Sequence, residues 1–138
     1  MKLLITHALT VLTTLILAAC ASQEEQVTQD TAQAVRDFIA VRGLPEADKI
    51  RTDGNDRWKK IDLYFVIYEK RKEAFLIEFA RRCHELDTTP VVADVRHGNE
   101  IQARFDTLRG CRIAKLYVLN EAEVIELQDI GEAPGSRN

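Results

Sequence analysis

Apolar and polar positions follow three different rhythms along this chain, and each rhythm predicts a different kind of element. Leu3 to Leu17 is a nearly continuous apolar run, preceded by Lys2 and followed by the small residues Ala18 and Ala19 and then Cys20. From Thr31 to Arg42 the apolar residues Ala32, Val35, Phe38 and Ile39 recur at helical spacing, which predicts an amphipathic helix. Asp30 is placed as its N-cap with Gln33 three residues later, and Gly43 and Pro45 end it. Between them, residues 20–29 are polar and without pattern, the composition of a flexible tether.

Farther along, the period drops to two. Glu46 to Arg57 is charged and holds the turn string Asp53-Gly54-Asn55. Trp58 to Tyr68 then alternates strictly, with Ile61, Leu63, Phe65 and Ile67 on one face. A charged turn from Glu69 to Lys72 leads to Phe75, Ile77 and Phe79, so the segment predicts a long antiparallel hairpin. Its other face carries Tyr64, Val66, Tyr68 and Leu76, which predicts partial cover there too. Tyr64 and Tyr68 together are candidates for a ligand groove, although aromatic residues favour strands in any case. A second hairpin is expected from Val91 to Arg96 and from Glu100 to Asp106, around His97-Gly98-Asn99. Cys111 to Leu119 is the most apolar strand candidate of the second half and suits a central position. Asn120 and Glu123 have capping-box spacing at the head of a last helix, with Val124, Leu127 and Ile130 inward and residues 131–138 as a frayed tail.

The first apolar run carries chemistry of its own. It is short for a membrane span, contains His7 and several threonines, and lacks stop-transfer charge. Leu17-Ala18-Ala19-Cys20 reads as a lipobox: small residues let the extended backbone enter a narrow peptidase site, and the thiol accepts a diacylglyceryl group before cleavage. Residues 1–19 are therefore expected to be a lipoprotein signal peptide, and Cys20 the acylated first residue of a membrane-anchored chain. Each buried methylene adds roughly 0.8 kcal/mol, so two or three acyl chains hold a protein on a bilayer. Ala21 after the cysteine, rather than an aspartate, points to the periplasmic face of the outer membrane in enteric-type bacteria.

What remains from Cys20 is long enough for one domain with one modest core, expected over residues 30–130. Without Lys2 the chain keeps 18 basic and 22 acidic residues, a formal charge of −4, which does not suit nucleic-acid binding. Basic residues gather at Lys70, Arg71 and Lys72 and at Arg81 and Arg82, as solvated turns or as an anionic-lipid contact. Lipidation consumes Cys20 and leaves Cys83 and Cys111, which in an oxidising compartment predicts one structural disulfide. Its loop of 29 residues corresponds to about 3.6 kcal/mol by loop-closure entropy. The alternative is a redox or metal site; Cys83 does stand beside His84, but no CxxC spacing is present and the ligands number fewer than four.

Candidate acids, bases and nucleophiles are His84, Asp87, Asp94, His97 and Asp106, none of them in a catalytic motif. The chain has no GxSxG elbow, HExxH helix, Walker loop or Rossmann glycine string, so enzymatic activity and a cofactor are not expected. Asp106 suits a strand-end carboxylate bonding a nearby amide, and His97 a turn residue.

The order of several short features carries a resemblance: Glu78-Phe79 after an aliphatic strand, Cys83 with Leu86, Arg104-Phe105-Asp106, Cys111-Arg112-Ile113 with Leu116-Tyr117, and Glu126-Leu127 in a short helix. In these the stretch from Trp58 to Leu127 resembles a family of small uncharacterised proteobacterial lipoproteins, domain-of-unknown-function family 6491. The resemblance implies a disulfide between the paired cysteines and brings no activity, substrate or catalytic residue. Members often carry another cysteine early in the mature domain, where this chain has none.

Taken together, the expected architecture is an α+β domain: an antiparallel sheet of about five strands, two hairpins and one further strand, with an N-terminal and a C-terminal helix packed on one face. The expected role is a non-enzymatic interaction or accessory module of the bacterial envelope with a protein partner. The alternative is a small-molecule or lipid-binding carrier lipoprotein, which calls for a buried apolar cavity. An adaptor instead calls for exposed apolar surface on a charged exterior.

Overall fold

A computed structural model describes residues 26–27, 29–52, 57–87, 93–94 (backbone only) and 98–132. The leader, Cys20, the Asp53-Gly54-Asn55 string, His97, the Asp94 side chain and the tail beyond Glu132 lie outside the described residues.

Helix formation starts earlier than Asp30: Gln26 and Val27 are already helical, and helix α1 continues over residues 29–42. Asp30 is thus inside the helix rather than its N-cap. The apolar stripe explains the extension, since half-buried Val27 and buried Thr31 continue the line of Ala32 and Val35 by one more turn. At the other end Gly43 has φ +60° and donates its N–H to Ile39 O at 2.9 Å, an αL cap that stops the helix.

Nine short strands follow among the described residues: β1 (Glu46–Ala47), β2 (Lys49–Arg51), β3 (Arg57–Lys60), β4 (Phe65–Lys70), β5 (Glu73–Phe79), β6 (Ala93–Asp94), β7 (Glu100–Gln102), β8 (Thr107–Leu108) and β9 (Cys111–Leu119). A 3-10 turn, His84–Asp87, lies after β5, and helix α2, Glu121–Glu132, closes the chain. The main sheet has the order β3-β4-β5-β9-β8-β6, and β1 adds to β9 beyond β8. β2 and β7 form a separate ribbon, and every pairing is antiparallel. The α+β class and the terminal helices are as expected, and β9 holds the central place its composition suggested.

Three details differ. The alternating run from Trp58 to Tyr68 is not one strand but a hairpin, with Trp58 opposite Tyr68 and Lys60 opposite Val66. Asp62 reverses the chain: its Oδ1 accepts the N–H groups of Tyr64 (2.7 Å) and Phe65 (2.8 Å). Ile61 and Leu63 keep the alternating look because the turn buries both of them. Next, the β4–β5 loop is only Arg71 and Lys72, since Lys70 pairs with Glu73. That register sets Ile67 opposite Leu76 and Val66 opposite Ile77, so Leu76 shares the face of Phe65 and Ile67, while Phe75, Ile77 and Phe79 go with Val66 and Tyr68. Finally, the described strands of the expected second hairpin pair elsewhere than with each other. β7 pairs with β2, where Ile50 stands opposite Ile101, and β6 pairs with β8. Lys49 and Arg51 both reach Glu100 across the ribbon, at 3.1 and 3.3 Å, and their hydrogen bonds lower the Glu100 pKa.

The sheet is covered on both faces. Toward the helices, Phe65, Ile67, Leu76, Tyr117 and Leu119 pack with Ala32, Val35, Leu44, Val124 and Leu127. Toward the ribbon, Val66, Tyr68, Ile77, Phe79 and Leu116 pack with Ile50, Leu86, Ile101, Leu108 and the two cysteines. Both helices sit on one face, as the sequence predicts; the second core fills the other. α2 runs past Ile130, so Gly131 belongs to the helix instead of a frayed tail. A Cβ there would come within 3.1 Å of Ile61 Cγ2, and glycine lets α2 close onto the β3–β4 turn.

Candidate functional site

The cysteine pair is formed. Cys83, just past β5, and Cys111, at the start of β9, are disulfide-bonded with Cα atoms 5.8 Å apart, and both are fully buried in the ribbon-side core. The β8–β9 loop that delivers Cys111 is Arg109-Gly110, both with positive φ (54° and 78°), as a type I′ turn requires. Glu85, on the 3-10 turn, sets a carboxylate oxygen 3.0 Å from Cys111 Sγ. These three residues hold their potential ligand atoms within 4.8 Å of one another, but in the disulfide neither sulfur is a thiolate, so metal ligation there requires reduction first.

Helix α2 starts with the reciprocal cap that the sequence predicts. Asn120 N–H donates to Glu123 Oε2 at 2.8 Å, and Glu123 N–H donates to Asn120 Oδ1 at 3.0 Å. The cap fixes the direction in which α2 leaves β9, and between the first turns of α2 and the β4–β5 hairpin an open cleft of about 560 Å³ results. Ala74, Leu119, Val124 and Ile125 supply its apolar lining, and Arg57, Glu69, Lys72 and Glu121 its charged rim. Leu119 and Val124 are buried in the core, whereas Ile125 is 56 % exposed. Arg57 pairs with Glu69 at 3.8 Å, so the rim presents both signs of charge. The signal in the sequence was Ile125, an aliphatic residue off the inward stripe of Val124 and Leu127.

The Tyr64/Tyr68 pair does not line one groove. Tyr68 is wholly buried in the ribbon-side core, its ring 4.6 Å from Trp58, and its hydroxyl donates to Arg51 O at 3.2 Å. Tyr64 is half-buried on the helix side, where the Arg36 guanidinium lies 5.2 Å from its ring centroid. The Asx turn at Asp62 separates them by interrupting the strand alternation that would have put both on one face.

Nor do the described candidate acids and bases, His84, Asp87 and Asp106, converge. Asp106 is fully buried and accepts the Gln102 N–H at 2.7 Å, the amide-bonding role expected of it. Asp87 pairs with Lys60, and His84 is exposed on the 3-10 turn. A polar group the sequence reading missed lies under α1: Arg36 reaches Glu78 at 3.6 Å, and Tyr117 Oη donates to Glu78 Oε2 at 3.1 Å. Burial, followed by the Glu78 charge and that hydrogen bond, raises the Tyr117 hydroxyl far above its usual range, so it stays a donor. Asp62 is pushed up to about 6, chiefly by burial, against the lowering effect of its two amide bonds. Its second carboxyl oxygen is buried without a hydrogen-bond partner.

Comparison with protein families matches residues 1–130 to the model of a family of unknown function, DUF6491, in agreement with the resemblance drawn from the sequence. No curated protein and no solved structure matches the chain.

Proposed function

This chain belongs to the family of unknown function DUF6491, and we propose that it is a lipid-anchored bacterial envelope protein whose domain is a non-enzymatic interaction module. In this reading residues 1–19 direct export and Cys20 carries the acyl anchor, on the inner leaflet of the outer membrane facing the periplasm. The domain then presents the cleft between the β4–β5 hairpin and α2 to an envelope protein.

One observation carries the choice of surface: Ile125 stands 56 % exposed at a cleft with an apolar floor and a rim of both charges. Exposed aliphatic area next to buried Leu119 and Val124 is the kind of feature that a partner covers, and the mixed rim selects which one. Cores on both faces of the sheet, fastened by the disulfide, make the platform rigid, so little ordering cost attends binding. A carrier of a small amphiphile is the second reading, supported by the size of the same cleft, which falls among known ligand sites.

The test is a photo-crosslinking amino acid at position 125 of the full-length protein in its bacterial host, with position 41 as control, since Val41 is 85 % exposed on α1. The proposal expects a discrete protein adduct at 125, absent at 41 and lost in a Leu119→Asp background that still folds by circular dichroism. Capture of a lipid or other small molecule at 125 selects the carrier. Adducts of equal pattern at both positions reject the cleft as a specific site.

A further inference from the structure

Arg36, Arg42, Lys49, Arg51, Arg57, Lys59, Lys60 and Lys115 each pair with a carboxylate. Arg81, Arg104 and Arg112 differ. All three are exposed, and no ion pair joins them to a described acidic residue. They are far apart in sequence, yet the sheet gathers them at one end. Ala80, next to Arg81, donates its N–H to Arg112 O at 3.0 Å, and Arg104 donates its own to Ile113 O at 2.9 Å, so the three flank one short stretch of β9.

Two of the described acidic residues at this end are engaged elsewhere, whereas Asp48 is exposed and lines one pocket with Glu46, Arg104 and Phe105. Asp106 is buried on the Gln102 amide and Asp87 is with Lys60, while Glu85 is exposed, with a carboxylate oxygen 3.0 Å from the disulfide sulfur of Cys111. Phe105 stands between Arg104 and Asp106, 65 % exposed, on a turn held by the Asp106 carboxylate and by a left-handed Arg104 (φ 70°). The turn thus presents an exposed aromatic residue next in sequence to an exposed arginine. An aromatic ring at headgroup level with arginines reaching phosphates is how proteins settle on a bilayer surface.

The course of α1 gives the direction. Arg36 lies beside Glu78, the strand partner of Lys115, while Pro45, just past the helix, accepts the Val118 N–H. α1 therefore advances along β9 in the same sense, and its first turns point toward the Arg112 end. Only six residue steps separate Cys20 from Gln26, a reach of about 20 Å at full extension.

We infer that the end of the domain bearing Arg81, Arg104, Arg112 and Phe105 rests on the anionic phospholipid surface in which the chain is anchored. This deepens the reading above and rests on its lipid anchor for orientation. It leaves the α2 cleft, beside the β4–β5 loop at the opposite end of β5, turned away from the membrane and open to a partner. Three arginines close to an anionic surface strengthen association by on the order of a hundredfold, an effect that salt screens.

The experiment places the full acylated protein, purified from its host, in vesicles of phosphatidylcholine with or without 30 % phosphatidylglycerol. Arginine reactivity toward phenylglyoxal is read by peptide mass spectrometry. The expected result is at least fivefold protection of Arg81, Arg104 and Arg112 on anionic vesicles, with Arg42 and Arg71 unchanged and the protection removed by 0.5 M salt. Equal reactivity on both vesicle types overturns the inference, as does equal protection by 10 mM inorganic phosphate without vesicles. Intact mass decides the anchor separately: if Cys20 proves unacylated, the anchor reading fails. The surface is then judged by vesicle flotation of that chain, where anionic-selective, salt-sensitive binding lost in R81Q/R104Q/R112Q supports it and its absence refutes it.

Discussion

Ile50 and Ile101 face each other directly across the β2–β7 ribbon, one 3 % exposed and the other fully buried. This pair is the lid of the second core: through it, two segments 51 residues apart cover the face of the sheet that the helices leave open. Ile101→Ala removes aliphatic contact from the centre of that lid, and the ribbon is too short to close the gap. A loss of about 3 kcal/mol is expected. Urea denaturation followed by the Trp58 fluorescence measures it, since Trp58 packs against the same core. Val41→Ala, at an exposed helix position, is the control and shifts stability by less than about 0.5 kcal/mol.

The same pair marks the boundary of what the sequence discloses. Local features were legible: the α1 stripe, the Asn120/Glu123 cap, the apolar β9 and the disulfide each follow from residues near one another or from a count of two remaining thiols. The β2–β7 ribbon was not, because its charged strands carry one buried residue in each of Lys49–Arg51 and Glu100–Gln102, too few to show a period. The β3–β4 hairpin was hidden for the opposite reason. Ile61 and Leu63 continue the alternation through a turn, and only Asp62, a turn former inside an apolar run, contradicted it. For the candidate surfaces, Ile125 and the Arg81-Arg82 cluster were visible as residues, but the cleft and the joining of Arg81 to Arg104 and Arg112 are products of strand register.

The disulfide closes the chain from the end of β5 to the start of β9, with a sequence separation of 28. Cys83→Ala combined with Cys111→Ala lowers stability by about 3 to 4 kcal/mol, the loop-closure entropy restored to the unfolded chain. Guanidinium unfolding of oxidised wild type, reduced wild type and the double variant checks it. Both altered forms are expected at the lower midpoint. A midpoint for the double variant equal to that of oxidised wild type refutes the stabilising role.

Asp62 makes stability depend on acidity in an unusual direction. Its carboxyl is raised from 3.8 to about 6 in the folded chain, so between those values the folded state binds more protons than the unfolded one. Stability from this group is therefore greatest below pH 4, falls as pH rises toward 6, and is level above about 7. The cause is the buried carboxyl oxygen without a partner, which tolerates a proton better than a charge. Asp62→Asn keeps an oxygen for the Tyr64 and Phe65 amides and removes the titration. The expected outcome is a difference in unfolding free energy, wild type minus variant, that shrinks by about 3 kcal/mol from pH 3.5 to pH 7. Urea curves at closely spaced pH values measure that difference with other titrating groups cancelled. A difference independent of pH means that the folded carboxyl titrates at its ordinary value and that solvent or another donor reaches its second oxygen.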